Sequence, residues 1–85
     1  MRYRKVGYST HALEAMEERR ILKEWIERLL DDPAWVQQEH GYLGRFRAFG
    51  RVPEHGDRML RVVYDEMREG ICIVTVFFDR AHRNR

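Results

Sequence analysis

Arg58-Met59-Leu60-Arg61-Val62-Val63-Tyr64, then Met67-Arg68-Glu69-Gly70, then Ile71-Cys72-Ile73-Val74-Thr75-Val76-Phe77-Phe78: two runs rich in β-branched and aromatic residues flank a turn and read as an antiparallel hairpin. Alternation puts Leu60, Val62 and Tyr64 on one face and Arg61 on the other. In the last run Cys72, Val74, Val76 and Phe78 form one set, with Thr75 opposite. Upstream, Arg45-Phe46-Arg47-Ala48-Phe49-Gly50-Arg51-Val52 repeats the pattern, with Phe46 and Ala48 on one side and Arg45, Arg47 and Arg51 on the other. Trp35-Val36-Gln37-Gln38-Glu39 reads as a short edge strand. Residues 41–44 form a turn and residues 53–57 a loop. Links this short imply an antiparallel meander of four strands. If their registers agree, one face is apolar and the other carries Arg45, Arg47, Arg61 and Thr75. A slip of one residue in any strand regroups them.

The stretch before the strands is helical. Ser9 or Thr10 is an N-cap for the helical stretch Ser9-Thr10-His11-Ala12-Leu13-Glu14-Ala15-Met16-Glu17-Glu18-Arg19-Arg20-Ile21, because a short hydroxyl side chain satisfies an orphan N–H of the first turn. Steps of 100° place Ala12, Leu13 and Met16 together, with Glu14, Glu17 and Glu18 opposite. His11, Ala15 and Arg19 run along the border. A break at Arg20-Ile21 precedes a second helix with Leu22, Trp25, Ile26, Leu29 and Leu30 on its apolar face. Pro33 ends it, since the residue before proline avoids helical backbone. The first eight residues read as extended chain or a short strand. The expected fold is α+β, with two N-terminal helices packed on a four-stranded antiparallel sheet.

Eighty-five residues of which 44% are hydrophobic suit a single globular domain, residues 1–85, with residues 81–85 as a frayed polar tail. The formal net charge is only +2, but it is unevenly spread. Residues 11–40 are acid-rich, whereas residues 41–85 carry a basic excess made only of arginine. An arginine-rich sheet suits an anionic ligand, RNA or an acidic protein; ordinary solvated faces are the bland alternative. Cys72 is the only cysteine, which excludes an internal disulfide and fits a reducing cytoplasm. The N-terminus lacks the apolar stretch of a signal peptide. No segment approaches the roughly 20 apolar residues of a membrane span, so no membrane partner is expected. His11, His40, His55 and His82 are scattered, without metal-ligand spacing. No glycine-rich phosphate loop is present. Neither a metal nor a cofactor is expected.

The segments His11 to Ile21, Gly44-Arg45-Phe46-Arg47-Ala48-Phe49-Gly50-Arg51, Leu60-Arg61-Val62-Val63-Tyr64 and Ile73-Val74-Thr75-Val76, with a helix ending at Asp32-Pro33, resemble the domain-of-unknown-function family numbered 4258. That family is similar to the RelE/ParE-like and BrnT-like bacterial toxins, which pack N-terminal helices on an antiparallel sheet. Many of those are metal-independent endoribonucleases held in check by an antitoxin protein. The resemblance picks out His11, Arg19, Arg61 and Thr75, and less directly Arg45 and Arg47. The chain departs from the BrnT-like pattern after Thr75, where Val76 and Phe77 follow and the next arginine is Arg80.

The chemistry behind this expectation is RNA transesterification. The 2′-hydroxyl attacks the adjacent phosphate while the enzyme removes its proton, holds a phosphorane and protonates the leaving oxygen. A histidine such as His11 suits the proton steps. The arginine fork matches phosphate oxygens, and Thr75 adds a hydrogen bond. Each such donor contributes ~3 kcal/mol in the transition state. The expected set is therefore His11, Arg61 and Thr75 as catalytic residues, with Arg19, Arg45 and Arg47 holding phosphate. Each has a plainer reading. His11 caps a helix or faces water, Arg19 pairs with Glu18 or Asp79, and Thr75 is a strand former. Arg61, set in a core strand, needs a partner acid or an anionic ligand. Two other functions are kept open: a non-catalytic module binding RNA or an acidic protein, and a toxin with a protein target.

Overall fold

The computed structural model describes residues 5–79, so the expected tail at residues 81–85 lies outside the described residues. The chain runs β1 (Val6–Tyr8), α1 (Thr10–Arg19), α2 (Lys23–Asp31), β2 (Trp35–Gln38), β3 (Arg45–Val52), a 3-10 turn (Pro53–His55), β4 (Arg58–Met67) and β5 (Gly70–Phe78). The α+β reading and the two leading helices hold. The four-stranded antiparallel sheet is corrected to a five-stranded mixed one in the order β1-β5-β4-β3-β2. Strand β1 lies parallel to β5, with Val6, Gly7 and Tyr8 opposite Ile71, Cys72 and Ile73. Three residues are too few to show an alternation, and their partner lies at the other end of the chain. Gly70 admits this docking: Ile71 N–H donates to Lys5 O at 2.9 Å, and a Cβ on Gly70 would collide with the Lys5 backbone.

Both helices pack on one face of the sheet. Ser9 caps α1, its Oγ accepting from Ala12 N–H at 3.0 Å. The helix ends at Arg20 in a left-handed conformation (φ 56°), with Arg20 N–H donating to Glu17 O and Ile21 N–H to Met16 O. Ala12 and Ala15 are buried while Leu13 is 53% exposed, so the buried stripe runs through Ala15 rather than Leu13. Small residues let α1 lie close over β5. In α2, Trp25, Ile26, Leu29 and Leu30 are buried as expected, but Leu22 is the N-cap and stays exposed. The core joins them to Ala48, Val52, Leu60, Val62, Tyr64, Ile71, Ile73 and Val76. Gly50 lies directly beneath Leu29.

The register β3–β4 pairs Arg45 with Asp65, Arg47 with Val63 and Phe49 with Arg61. The β4–β5 register pairs Val63 with Thr75 but Tyr64 with Ile73. Val74 is therefore an extra residue, a bulge that reverses the alternation midway along β5. Ile71 and Ile73 face the helices before it, Val76 and Phe78 after it. The expected inward set Cys72, Val74, Val76 and Phe78 is corrected accordingly, and Cys72 falls on the side away from the helices. Ser9 closes this irregularity: its N–H donates to Ile73 O and its Oγ to Val74 O, each at 2.9 Å.

Candidate functional site

The face without helices carries two rows of side chains. One runs Trp35, Phe49, Arg61 and Phe77 across β2, β3, β4 and β5; the next runs Gln37, Arg47, Val63 and Thr75. Arg61 is the diagonal neighbour of both Arg47 and Thr75, about 7–8 Å away in such a sheet. Val63, only 7% exposed, floors the space between them. The bulge at Val74 is what brings Thr75 and Phe77 to this face.

Arg61 is held from three directions. Its Nη2 donates to Asp79 Oδ2 at 2.6 Å. Its guanidinium carbon lies 5.2 Å from the Phe49 ring centre and 4.9 Å from that of Phe77. A guanidinium stacked between rings gains cation–π attraction and loses rotamer freedom before any ligand arrives. Trp35 stacks on Phe49 at 4.6 Å and extends the row to β2. Arg61 Nε is shielded without a hydrogen-bond partner, and Nη1 donates to no described residue.

The neighbouring arginines differ. Arg45 donates from Nε and Nη2 to Asp65 Oδ1 and Oδ2 at 2.6 and 2.9 Å. That fork raises the Arg45 pKa and holds the Asp65 carboxyl below the usual carboxylate range, in each case chiefly through the hydrogen bonds. The Arg45 side chain also covers Tyr42, at 4.7 Å from its ring centre. Arg47 Nε lies 2.9 Å from Glu39 Oε2, but the approach is misaligned and Nε has no hydrogen bond. Neither Nη atom of Arg47 donates to a described residue. The Thr75 hydroxyl likewise has no hydrogen bond there.

Arg45, Arg47, Arg61 and Thr75 thus share one face. His11 and Arg19 belong to the helix layer. His11 is exposed in the first turn of α1 and makes no hydrogen bond or ion pair with the face residues. Arg19 is exposed and lies 3.6 Å from Glu18. An open cleft of about 740 Å³ sits elsewhere, at the end of the sheet between Trp25, Leu29, Pro33, Trp35 and Met59. None of the expected site residues lines it. Among the described residues, no group of three His, Cys, Asp or Glu is placed to hold a metal ion. No helix there is long and apolar enough to cross a membrane.

Sequence reasoning missed Glu39, Asp65, Asp79 and the aromatic partners Phe49 and Phe77. Asp65 was within reach, because it stands directly across from Arg45 once the hairpin register is drawn. No curated protein and no solved structure matches the chain. One family model does, that of a domain of unknown function (DUF4258), over residues 8–78. The match spans both helices and all but the first residues of the sheet, and the chain belongs to that family.

Proposed function

We propose that this domain is a toxin-like, RNA-binding domain of the RelE/ParE-like kind that takes an RNA phosphate on the open face of its sheet. Two helices leading into antiparallel strands support the toxin-like part, as does the resemblance of the family to those toxins. One observation carries the RNA part. Arg61 Nη1, both Nη atoms of Arg47 and the Thr75 hydroxyl are neighbouring donors without a protein acceptor among the described residues. A phosphate offers oxygens to all three, through charge-assisted hydrogen bonds. Arg45 is forked onto Asp65 through Nε and Nη2, the firmest pairing on the face, and is left out of the set. An acidic antitoxin would compete for the same donors.

Metal-independent cutting is the second reading, favoured by the same convergence, because two guanidiniums and a hydroxyl stabilise a phosphorane. His11 is not assigned the proton step, since nothing joins it to this face.

The test is binding of labelled single-stranded RNA in EDTA, read by anisotropy, with the same samples run on a gel. Arg47→Ala and Thr75→Val each weaken binding about tenfold, the effect of one hydrogen bond to a charged group. His11→Ala leaves it unchanged. Intact RNA supports a binding module and shortened RNA the nuclease. Equal affinity in wild type, Arg47→Ala and Thr75→Val defeats the proposal.

A further inference from the structure

The open face holds arginines, yet it offers no continuous track of positive charge. Arg45, Arg47 and Arg61 each sit beside a carboxylate, from Asp65, Glu39 and Asp79. Duplex nucleic acid is bound by neutralising a run of phosphates along two strands. Here the unused donors gather at one point, around Val63, and suit one phosphate.

Beside that point lies an aromatic ring at an open edge. Strand β1 flanks β5 only as far as Ile73. From Thr75 onward no described strand lies on the side of β5 away from β4. Phe77 follows Thr75 by two residues on the same face, about 7 Å along the strand. It is partly exposed, with the Arg61 guanidinium against one side of its ring. The site thus combines donors for one phosphate with a π-face one short step away. Unpaired strands are recognised in this way, whereas a paired base has no face to give.

We infer that the Thr75–Phe77 edge of β5 is a site for one nucleotide step of unpaired RNA, with its phosphate on Arg61, Arg47 and Thr75 and the adjoining base stacked on Phe77. The inference rests on the RNA reading above and adds the strandedness of the ligand and the residue that senses it. Because a single phosphate is engaged, affinity falls gently with salt, with a log–log slope of about −0.7.

The experiment compares three probes on the full chain: hexaadenylate RNA, an abasic ribose-phosphate chain of equal length, and a short RNA duplex. Hexaadenylate binds at least about tenfold more tightly than the abasic chain, the effect of one stacked base, and more tightly than the duplex. In Phe77→Leu, which keeps apolar bulk and is checked for folding by its thermal transition, the ratio of hexaadenylate to abasic affinity falls toward one. Equal binding of the two single strands, lost in Arg47→Ala, leaves the phosphate site standing and overturns the base site. A preference for duplex, or a steep salt slope, also overturns it. Binding of none of the three probes, with capture of polyglutamate instead, overturns the RNA reading and this inference together.

Discussion

Gly50 is where the helix layer presses hardest on the strand that carries Arg47, and a methyl group there measures that pressure. A Cβ built on Gly50 would lie 2.9 Å from Leu29 Cγ, 3.2 Å from Cδ1 and 3.6 Å from Cβ. Carbon atoms are at their ease about 3.5–4.0 Å apart, so Gly50→Ala forces α2 outward or Leu29 into a poorer rotamer. Overpacking of this kind costs about 1–3 kcal/mol. Alanine recovers about 0.5–1 kcal/mol of that through the backbone entropy glycine loses on folding. A net loss of ~1.5 kcal/mol is expected, lowering the melting temperature by roughly 6–12 °C for a domain of this size. Leu29→Ala alone costs about 2–5 kcal/mol as a buried truncation. In that background the collision is gone and the new methyl sits in the space vacated. Gly50→Ala then becomes neutral or stabilising. Calorimetry of the four proteins gives the coupling directly. The same cost for Gly50→Ala with and without Leu29 would refute the argument, because the strain would then have another source. RNA binding by Gly50→Ala below its transition stays at the wild-type level, since the methyl points away from the open face.

The remaining expectations concern Tyr8 and Ser9. The Tyr8 hydroxyl is shut off from water without a well-formed hydrogen bond, and burial, then the Glu27 carboxylate, push its pKa up to about 12. The unfolded phenol ionises near pH 10, so its contribution is whole below pH 10 and disappears as pH rises from 10 to 12. In denaturant titrations across that range Tyr8→Phe flattens the alkaline fall by on the order of 1 kcal/mol, because the partly exposed ring is screened by solvent; an identical slope in both proteins contradicts this. Ser9 both caps α1 and donates to Val74 O, so Ser9→Asp keeps the cap but sets a carboxylate against a carbonyl. It is expected to lose ~1 kcal/mol by thermal unfolding although aspartate is a good N-cap, and a stabilised variant would show that the Val74 contact contributes nothing.

What was legible in the sequence follows from how local each signal is. The Ser9 cap, the break at Arg20-Ile21 and the Trp25, Ile26, Leu29 and Leu30 face of α2 depend on neighbours within a turn or two, and all appear. The grouping of Arg45, Arg47, Arg61 and Thr75 depends on alternation, which Arg45-Phe46-Arg47-Ala48 displays plainly in β3 and which Leu60-Arg61-Val62 marks by its one charge in β4. Strand β5 was harder. Ile71-Cys72-Ile73-Val74-Thr75-Val76-Phe77-Phe78 is apolar in both phases, so neither phase is disfavoured and the bulge leaves no mark. Thr75 was placed correctly while the first half of the strand was not. Helical periodicity turns Leu13 and Leu22 inward; the close approach of α1 through Ala12 and Ala15 leaves Leu13 outside, and Leu22 sits before the first turn of α2. The carboxylates beside the arginines depend on register and on the ends of strands, which no single segment encodes.

Those carboxylates bear on how the face works. Three guanidiniums on adjoining strands repel one another, and each would also wander among rotamers worth up to ~2 kcal/mol of entropy. A carboxylate beside each removes the repulsion and fixes the fork. If the pairing consumed every donor, the face would be closed to anions. At Arg45 it ties up Nε and Nη2 in a fork on Asp65; at Arg61 it ties up Nη2 alone. Asp79 is buried and accepts from Nη2, while the rings of Phe49 and Phe77 hold the guanidinium between them, so much of its rotamer entropy is lost before a ligand reaches Nη1. Binding there displaces water and little else, which is the circumstance in which one charge-assisted hydrogen bond contributes most. Arg47 is the adjustable member, because its misaligned contact with Glu39 leaves both Nη atoms able to follow the ligand. A rigid donor, an adjustable donor and a hydroxyl placed by a bulge make a site for a particular phosphate geometry, and the near-neutral surroundings keep that site from holding every polyanion equally.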